Sequence, residues 1–133
     1  MDLEIIKIAA NNINNKHINN CTHQIKHKNP LCGDKIEINL TIKDNKIEDF
    51  AYQCDACIYC QASVSLLSRK TIKNSLDKLS ELVEFSLSFF DNKNSKFPKK
   101  WDNFNKLFKE KNFNRKECLL LPFKAVSKIL KKI

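Results

Sequence analysis

The stretch Lys35-Ile36-Glu37-Ile38-Asn39-Leu40-Thr41-Ile42-Lys43 alternates polar and apolar residues without a break. A period of two puts Ile36, Ile38, Leu40 and Ile42 on one face of a strand and leaves the other face wet. Asp44-Asn45 follows, a pair whose short polar side chains bond the local backbone and favour a turn. Residues 46–53 then run back as a second strand, so a β-hairpin is predicted. Upstream, 22–28 reads as a weaker strand and Leu3–Ala10 as a short helix, joined by the Asn-rich loop 11–20.

Downstream the period changes. Ala62, Leu66 and Val64, Leu67 fall at helical spacing, and 61–68 contains neither Gly nor Pro. A second helix is expected from Asn74, its cap, with Asp77 in the first turn and Leu76, Leu79, Leu82, Val83, Leu87 and Phe90 as its apolar residues. Residues 91–100, polar and containing Pro98, read as a linker, and Trp101, Phe104, Leu107 and Phe108 as a stripe that docks on the body. The last helix is expected over 114–133, with Asn114 and Glu117 at capping-box spacing. Pro122 would cost about 3 kcal/mol inside a straight helix, so a kink is expected there, or a start later than Asn114. Strands first and helices after, without βαβ alternation, make an α+β plan.

The chain has 133 residues, enough for one domain (1–133) with one core. No segment reads as a signal peptide or approaches the roughly 18 apolar residues of a membrane span, so a soluble, cytoplasmic protein without a membrane partner is expected. The formal charge of +9 raises nucleic acid as a partner. The surplus is nearly all lysine, Arg69 and Arg115 being the only arginines, and it accompanies abundant Asn and Ile, the bias of an AT-rich coding sequence. No aromatic-interleaved basic stripe is present, which argues against nucleic acid; an acidic protein surface suits the charge as well.

Six cysteines in one short chain with a single glycine point to thiolate chemistry rather than a disulfide framework. In Asn29-Pro30-Leu31-Cys32-Gly33-Asp34 the proline stiffens a turn and the glycine frees the backbone. Cys32 and Asp34, two apart on a tight loop, suit one metal ion, since zinc accepts both sulfur and carboxylate oxygen. Cys54, Cys57 and Cys60 form C-x2-C-x2-C, an incomplete version of a ferredoxin run, with Val64 where the fourth cysteine would stand. Cys57 falls where strand turns to helix, a place that favours a thiolate. Cys54 and Cys60 read as small core residues, with Cys60 close enough to serve as an extra ligand or relay. Cys118 sits near the start of the last helix; Arg115, three residues earlier, shares its face and is placed to favour the thiolate or to pair with Asp34.

These blocks, together with Cys57 leading Ala62-Ser63-Val64-Ser65-Leu66-Leu67 and with Arg115-Lys116-Glu117-Cys118-Leu119-Leu120-Leu121, resemble the U-type iron–sulfur cluster assembly proteins: the NifU N-terminal domain, IscU and SufU. The resemblance implies an α+β fold with a three-stranded antiparallel sheet under packed helices. It implies Cys32, Asp34, Cys57 and Cys118 as ligands of zinc, iron or a transient iron–sulfur cluster, and Cys32 as acceptor of persulfide sulfur from a cysteine desulfurase (SufS/IscS-like), with downstream acceptor proteins taking the cluster. IscU-like members place His before the third cysteine, where this chain has Glu117. Arg115 and the long 91–113 segment are similar to the SufU-like branch, in which the protein is a zinc-dependent sulfur-transfer partner rather than only a scaffold. Asp55-Ala56 before the second cysteine, Cys54, Cys60 and Pro122 depart from the family pattern. Two other functions fit the residues: an electron-transfer protein using Cys54, Cys57, Cys60 and a remote ligand, and a structural zinc domain binding nucleic acid.

Overall fold

A computed structural model describes residues 2–31, 33–92 and 94–133. The elements are α1 (Leu3–Ala10), β1 (His23–Lys28), β2 (Lys35–Lys43), β3 (Lys46–Asp55), α2 (Ile58–Thr71), α3 (Leu76–Leu87) and α4 (Lys116–Leu130). Short 3-10 segments, Phe89–Asp91, Lys99–Lys106 and Glu110–Arg115, fill the stretch between α3 and α4.

The strands form one antiparallel sheet in the order β1-β2-β3. The hairpin forms as expected: Asp44 and Asn45 both take positive φ, 53° and 60°, the left-handed pair that suits a two-residue connection between twisted strands. Ile36, Ile38 and Leu40 are buried, which fixes the register, because a one-residue slip would turn them to water. That register puts His27, Ile36 and Cys54 in one cross-strand row. The loop 11–20 is tied down at the β3 edge, where the Tyr52 N–H donates to the Asn14 carbonyl at 2.9 Å.

Helix α2 packs against α1, α4 and β3 and is buried on most of its surface. Its small serines allow close approach, and their hydroxyls are satisfied inside. Ser63 Oγ donates to the Leu119 carbonyl of α4 at 2.6 Å, Ser65 Oγ to the Asn11 carbonyl, and Ser68 Oγ to the Ser65 carbonyl at 2.8 Å. These bonds offset the cost of buried polar groups.

Three details differ from expectation. The cap of α3 is Ser75, whose side chain accepts from the Lys78 N–H at 3.2 Å; Asn74 instead donates through Nδ2 to the Lys70 carbonyl at 2.7 Å, closing α2. Helix α3 stops at Leu87, and Phe90 belongs to the 3-10 turn that follows. No capping box opens α4, which starts at Lys116 and runs through Pro122, while Glu117 pairs with Lys124 at 2.7 Å. The start falls two residues after Asn114, yet Pro122 remains inside the helix as its seventh residue, so the later start does not account for the proline.

The expected linker carries Phe97, which is buried, and the predicted stripe docks as foreseen. Phe85, Phe89, Phe97, Phe104, Phe108 and Phe123 form a continuous aromatic cluster, with ring centroids 4.9 Å apart for Phe85–Phe97 and 5.6 Å for Phe108–Phe123. It joins the 3-10 segments to α3 and α4 and so holds the start of α4 in place. Among the described residues no helix is long and apolar enough to cross a membrane.

Candidate metal centre

Three elements end at one place. Asp34 lies on the loop between β1 and β2, Cys57 is the N-cap residue of α2, and Cys118 is in the first turn of α4. One ligand atom from each lies within 4.8 Å of the other two. Tetrahedral zinc with sulfur at 2.3 Å and oxygen near 2.1 Å holds its donors about 3.5–3.8 Å apart. The set therefore needs only about 1 Å of closure, within the reach of side-chain rotation, and its two sulfurs and one carboxylate are donors that zinc or iron accepts. Cys32, the fourth expected ligand, lies outside the described residues.

The loop that carries Asp34 is built by Asn29. Its N–H donates to the Asp34 carbonyl at 2.8 Å, its carbonyl accepts from the Gly33 N–H at 2.8 Å, and its Oδ1 accepts from the Leu31 N–H at 2.9 Å. Gly33 takes φ of +77° with nothing within 4 Å of where a Cβ would stand, so backbone conformation and not space selects glycine. Asp34 Oδ2 faces the Cys57 N–H at 3.4 Å, turning the carboxylate toward the start of α2. The motif contains Asn29, but its part in holding the loop is not evident from residue type alone, although Asn before Pro is itself a turn signal.

The other thiols sit behind this group. Cys60 is fully buried in the core, and burial pushes its thiol far up, aided by neighbouring Cys54 and Cys57. Cys54, half-buried on β3, is pushed up to about 11, first by burial and then by the negative charge of Asp34 and Asp55. Both stay protonated at neutral pH, and neither is part of the three-donor set. Their reading as core residues describes their positions. Arg115, exposed, lies over the Tyr59 ring with its guanidinium 5.4 Å from the centroid. Among the described ion pairs none joins it to Asp34. Tyr59, between Cys57 and Cys60, gave no periodic signal that would have marked it.

The model for the NifU-like N terminal domain matches residues 4–87. The chain belongs to that family. The match includes the Asp34 loop and Cys57 and ends before Cys118, which the fold supplies from α4. The iron-sulfur cluster assembly scaffold protein IscU of Thermotoga maritima is 30% identical over 108 residues, spanning 80% of this chain and 75% of that protein. IscU 1 of Archaeoglobus fulgidus is 38% identical over a shorter stretch of 52 residues, 36% of this chain and 34% of that protein. Among solved structures, the NifU-like protein (N-terminal) of Brucella abortus superposes with a TM-score of 0.89 at 21% identity, covering 99% of this chain and 92% of that one. FiSufU of Fervidobacterium islandicum AW-1, named for the SUF system, gives 0.88 at 20% identity, covering 98% and 96%. The α+β fold with its three-stranded antiparallel sheet is thus the family fold.

Proposed function

We propose that this chain is an iron–sulfur cluster assembly scaffold in which Cys32, Asp34, Cys57 and Cys118 hold the metal and Cys32 accepts sulfur from a cysteine desulfurase. The observation that carries the reading is the convergence of Asp34, Cys57 and Cys118 from three separate elements, in a chain whose family and curated relatives are assembly scaffolds. A bound cation would keep the thiols deprotonated and the site ordered. Cys32, two residues before Asp34 in the sequence, attacks the outer sulfur of the desulfurase persulfide as a thiolate and takes it over. Asp34 is a weaker ligand for a soft ion than a thiolate, which suits a site that must release what it holds. Glu117 before Cys118 and Arg115 three residues before it support a SufU-like role, with zinc as the resident ion and cluster as cargo.

Neither rival function gains support from the relatives. Of the C-x2-C-x2-C run only Cys57 is in the converging set, and Cys60 is enclosed in the core. The test is metal and acid-labile sulfide content after purification without air, combined with desulfurase turnover, for wild type, Cys32→Ser and Asp34→Ala. Metal near one per chain in wild type, reduced by Asp34→Ala, and sulfur acceptance lost in Cys32→Ser are expected. Undiminished acceptance by Cys32→Ser would sink the assignment.

A further inference from the structure

Cys57 and Cys60 form a C-x-x-C pair across the first turn of α2, in N-cap and N3 positions. The Cys57 carbonyl accepts from the Gln61 N–H at 3.1 Å, so the turn is closed and the two side chains leave it on one side. Residues at this spacing have Cβ atoms about 5–6 Å apart, and a disulfide needs about 3.5–4.5 Å. Cys57 is the residue able to take up the difference, because its φ and ψ of −67° and 166° lie outside the helix and its side chain makes no capping hydrogen bond. The pair is also graded in access. Cys57 is half-buried and open to an incoming sulfur, while Cys60 has no exposed surface.

From this arrangement we propose that Cys57 and Cys60 are a redox-active dithiol that converts sulfane sulfur, delivered as a persulfide, to sulfide. The proposal rests on the reading that this chain handles persulfide sulfur, and assigns Cys60 a chemical part that the ligand set does not give it. The Cys57 thiolate attacks the terminal sulfur of a persulfide donor, the donor leaves as its thiolate, and Cys57 carries the extra sulfur. The Cys60 thiol, enclosed and protonated, then attacks Cys57 Sγ as its proton passes to the outgoing terminal sulfur. The bond from Cys57 Sγ to the terminal sulfur breaks, that sulfur takes the electron pair and leaves as hydrosulfide, and a Cys57–Cys60 disulfide forms. The two electrons that sulfide requires come from the dithiol itself, and a further round needs an external thiol reductant. Burial of Cys60 orders the steps: the donor meets Cys57 first, and only sulfur already on Cys57 is within reach of Cys60.

The test loads reduced, metal-free protein with inorganic polysulfide, removes the excess by gel filtration, and measures sulfide released and the fate of each thiol. No desulfurase is involved, so failure of the proposed partner and failure of this step are distinguishable. Chymotryptic cleavage after Tyr59 separates Cys57 from Cys60, so a Cys57–Cys60 disulfide links two peptides, whereas a Cys54–Cys57 disulfide does not. Wild type is expected to yield that linked pair with about one sulfide per chain, and Cys54→Ser to do the same. Cys60→Ala, and Cys60→Ser as a second variant, should retain the extra sulfur on Cys57 and release none from it. Sulfide release by either folded Cys60 variant equal to wild type would overturn the proposal. Wild-type protein that keeps the sulfur on Cys57 without forming the linked peptides would overturn it as well, and that result stands even where neither variant folds.

Discussion

Ser63→Ala removes the hydrogen bond that ties α2 to α4, and with it a direct link between the helices that carry Cys57 and Cys118. The Ser63 hydroxyl is fully buried and donates to the Leu119 carbonyl, one residue beyond Cys118, at 2.6 Å. A buried carbonyl stripped of its partner costs about 1–3 kcal/mol, but the regular helical pattern also assigns this carbonyl the Phe123 N–H. The loss should therefore fall near the lower end, about 1–1.5 kcal/mol. At about 2.1 cal/mol/K per residue, the unfolding entropy of 133 residues is about 0.28 kcal/mol/K, so the midpoint should fall by about 4–5 °C. Thermal and urea denaturation of the metal-free protein measure this term. Zinc competition with a chromophoric chelator measures the second, where about a tenfold weaker affinity is expected, the lower end of what supporting groups around a metal contribute. A lowered midpoint with zinc affinity within twofold of wild type would refute the claim that this bond positions Cys118.

Gly33→Ala meets no neighbour but must hold φ near +77°, so it should cost about 1–2 kcal/mol from backbone alone; urea denaturation showing no loss would mean the loop relaxes. The Cys54 thiol, at about 11 against an ordinary 9.0, holds on the order of 100-fold less thiolate at pH 8 than in the unfolded chain, and iodoacetamide labelling followed by mass spectrometry should show that retardation. Its folded value is raised, so the stability it contributes is present below pH 9 and lost as pH rises toward 11. His27 runs the other way. Burial and the charges of Lys128 and Lys124 lower its value below the usual 6.5, so its contribution is present above that pH and lost as pH falls below it. His27→Gln should flatten the fall of the midpoint between pH 7 and 5, and an unchanged slope would exclude His27 as its source.

The sheet was legible because its information is local. Most residues of Lys35–Lys43 declare their face by type, and Asp44-Asn45 announces the turn; Asn39 is the exception, on the face expected to be wet but buried, its Oδ1 accepting from the Ile18 N–H at 3.1 Å. Strand β1 was fainter because it is an edge strand whose inward side is only half-buried, at His23, Ile25 and His27. The aromatic cluster could not be read in advance as a unit. Its rings come from α3, the 3-10 segments, the loops between them and α4, and only the assembled fold brings Phe85 beside Phe97 or Phe104 beside Phe123. Ser75 rather than Asn74 caps α3 because Asn74 is already engaged with the end of α2, a competition that neighbouring sequence does not reveal. For the site, the motif blocks named Asp34, Cys57 and Cys118, whereas the means of holding them together, Asn29, Ser63 and Tyr59, act through backbone bonds and ring contacts that residue identity alone does not specify.

The positions of the donors also decide how much negative charge the site tolerates. On the proposed ligand set, a bound divalent ion meets Asp34, Cys57 and Cys118 all deprotonated, which leaves one net negative charge among them. Both cysteines lie at helix N-termini, each equivalent to roughly half a positive charge, and α2 and α4 present those ends to the same point. The two helices thus offset about the charge that remains. A fourth ligand from Cys32, or the added sulfides of a growing cluster, exceeds that compensation. Arg115, held against the ring of Tyr59 two residues along from Cys57 and three residues before Cys118, is a cation placed to take up the excess. Replacing it with Gln should weaken retention of cluster more than of zinc, and equal losses of both would show that Arg115 serves the fold rather than the charge.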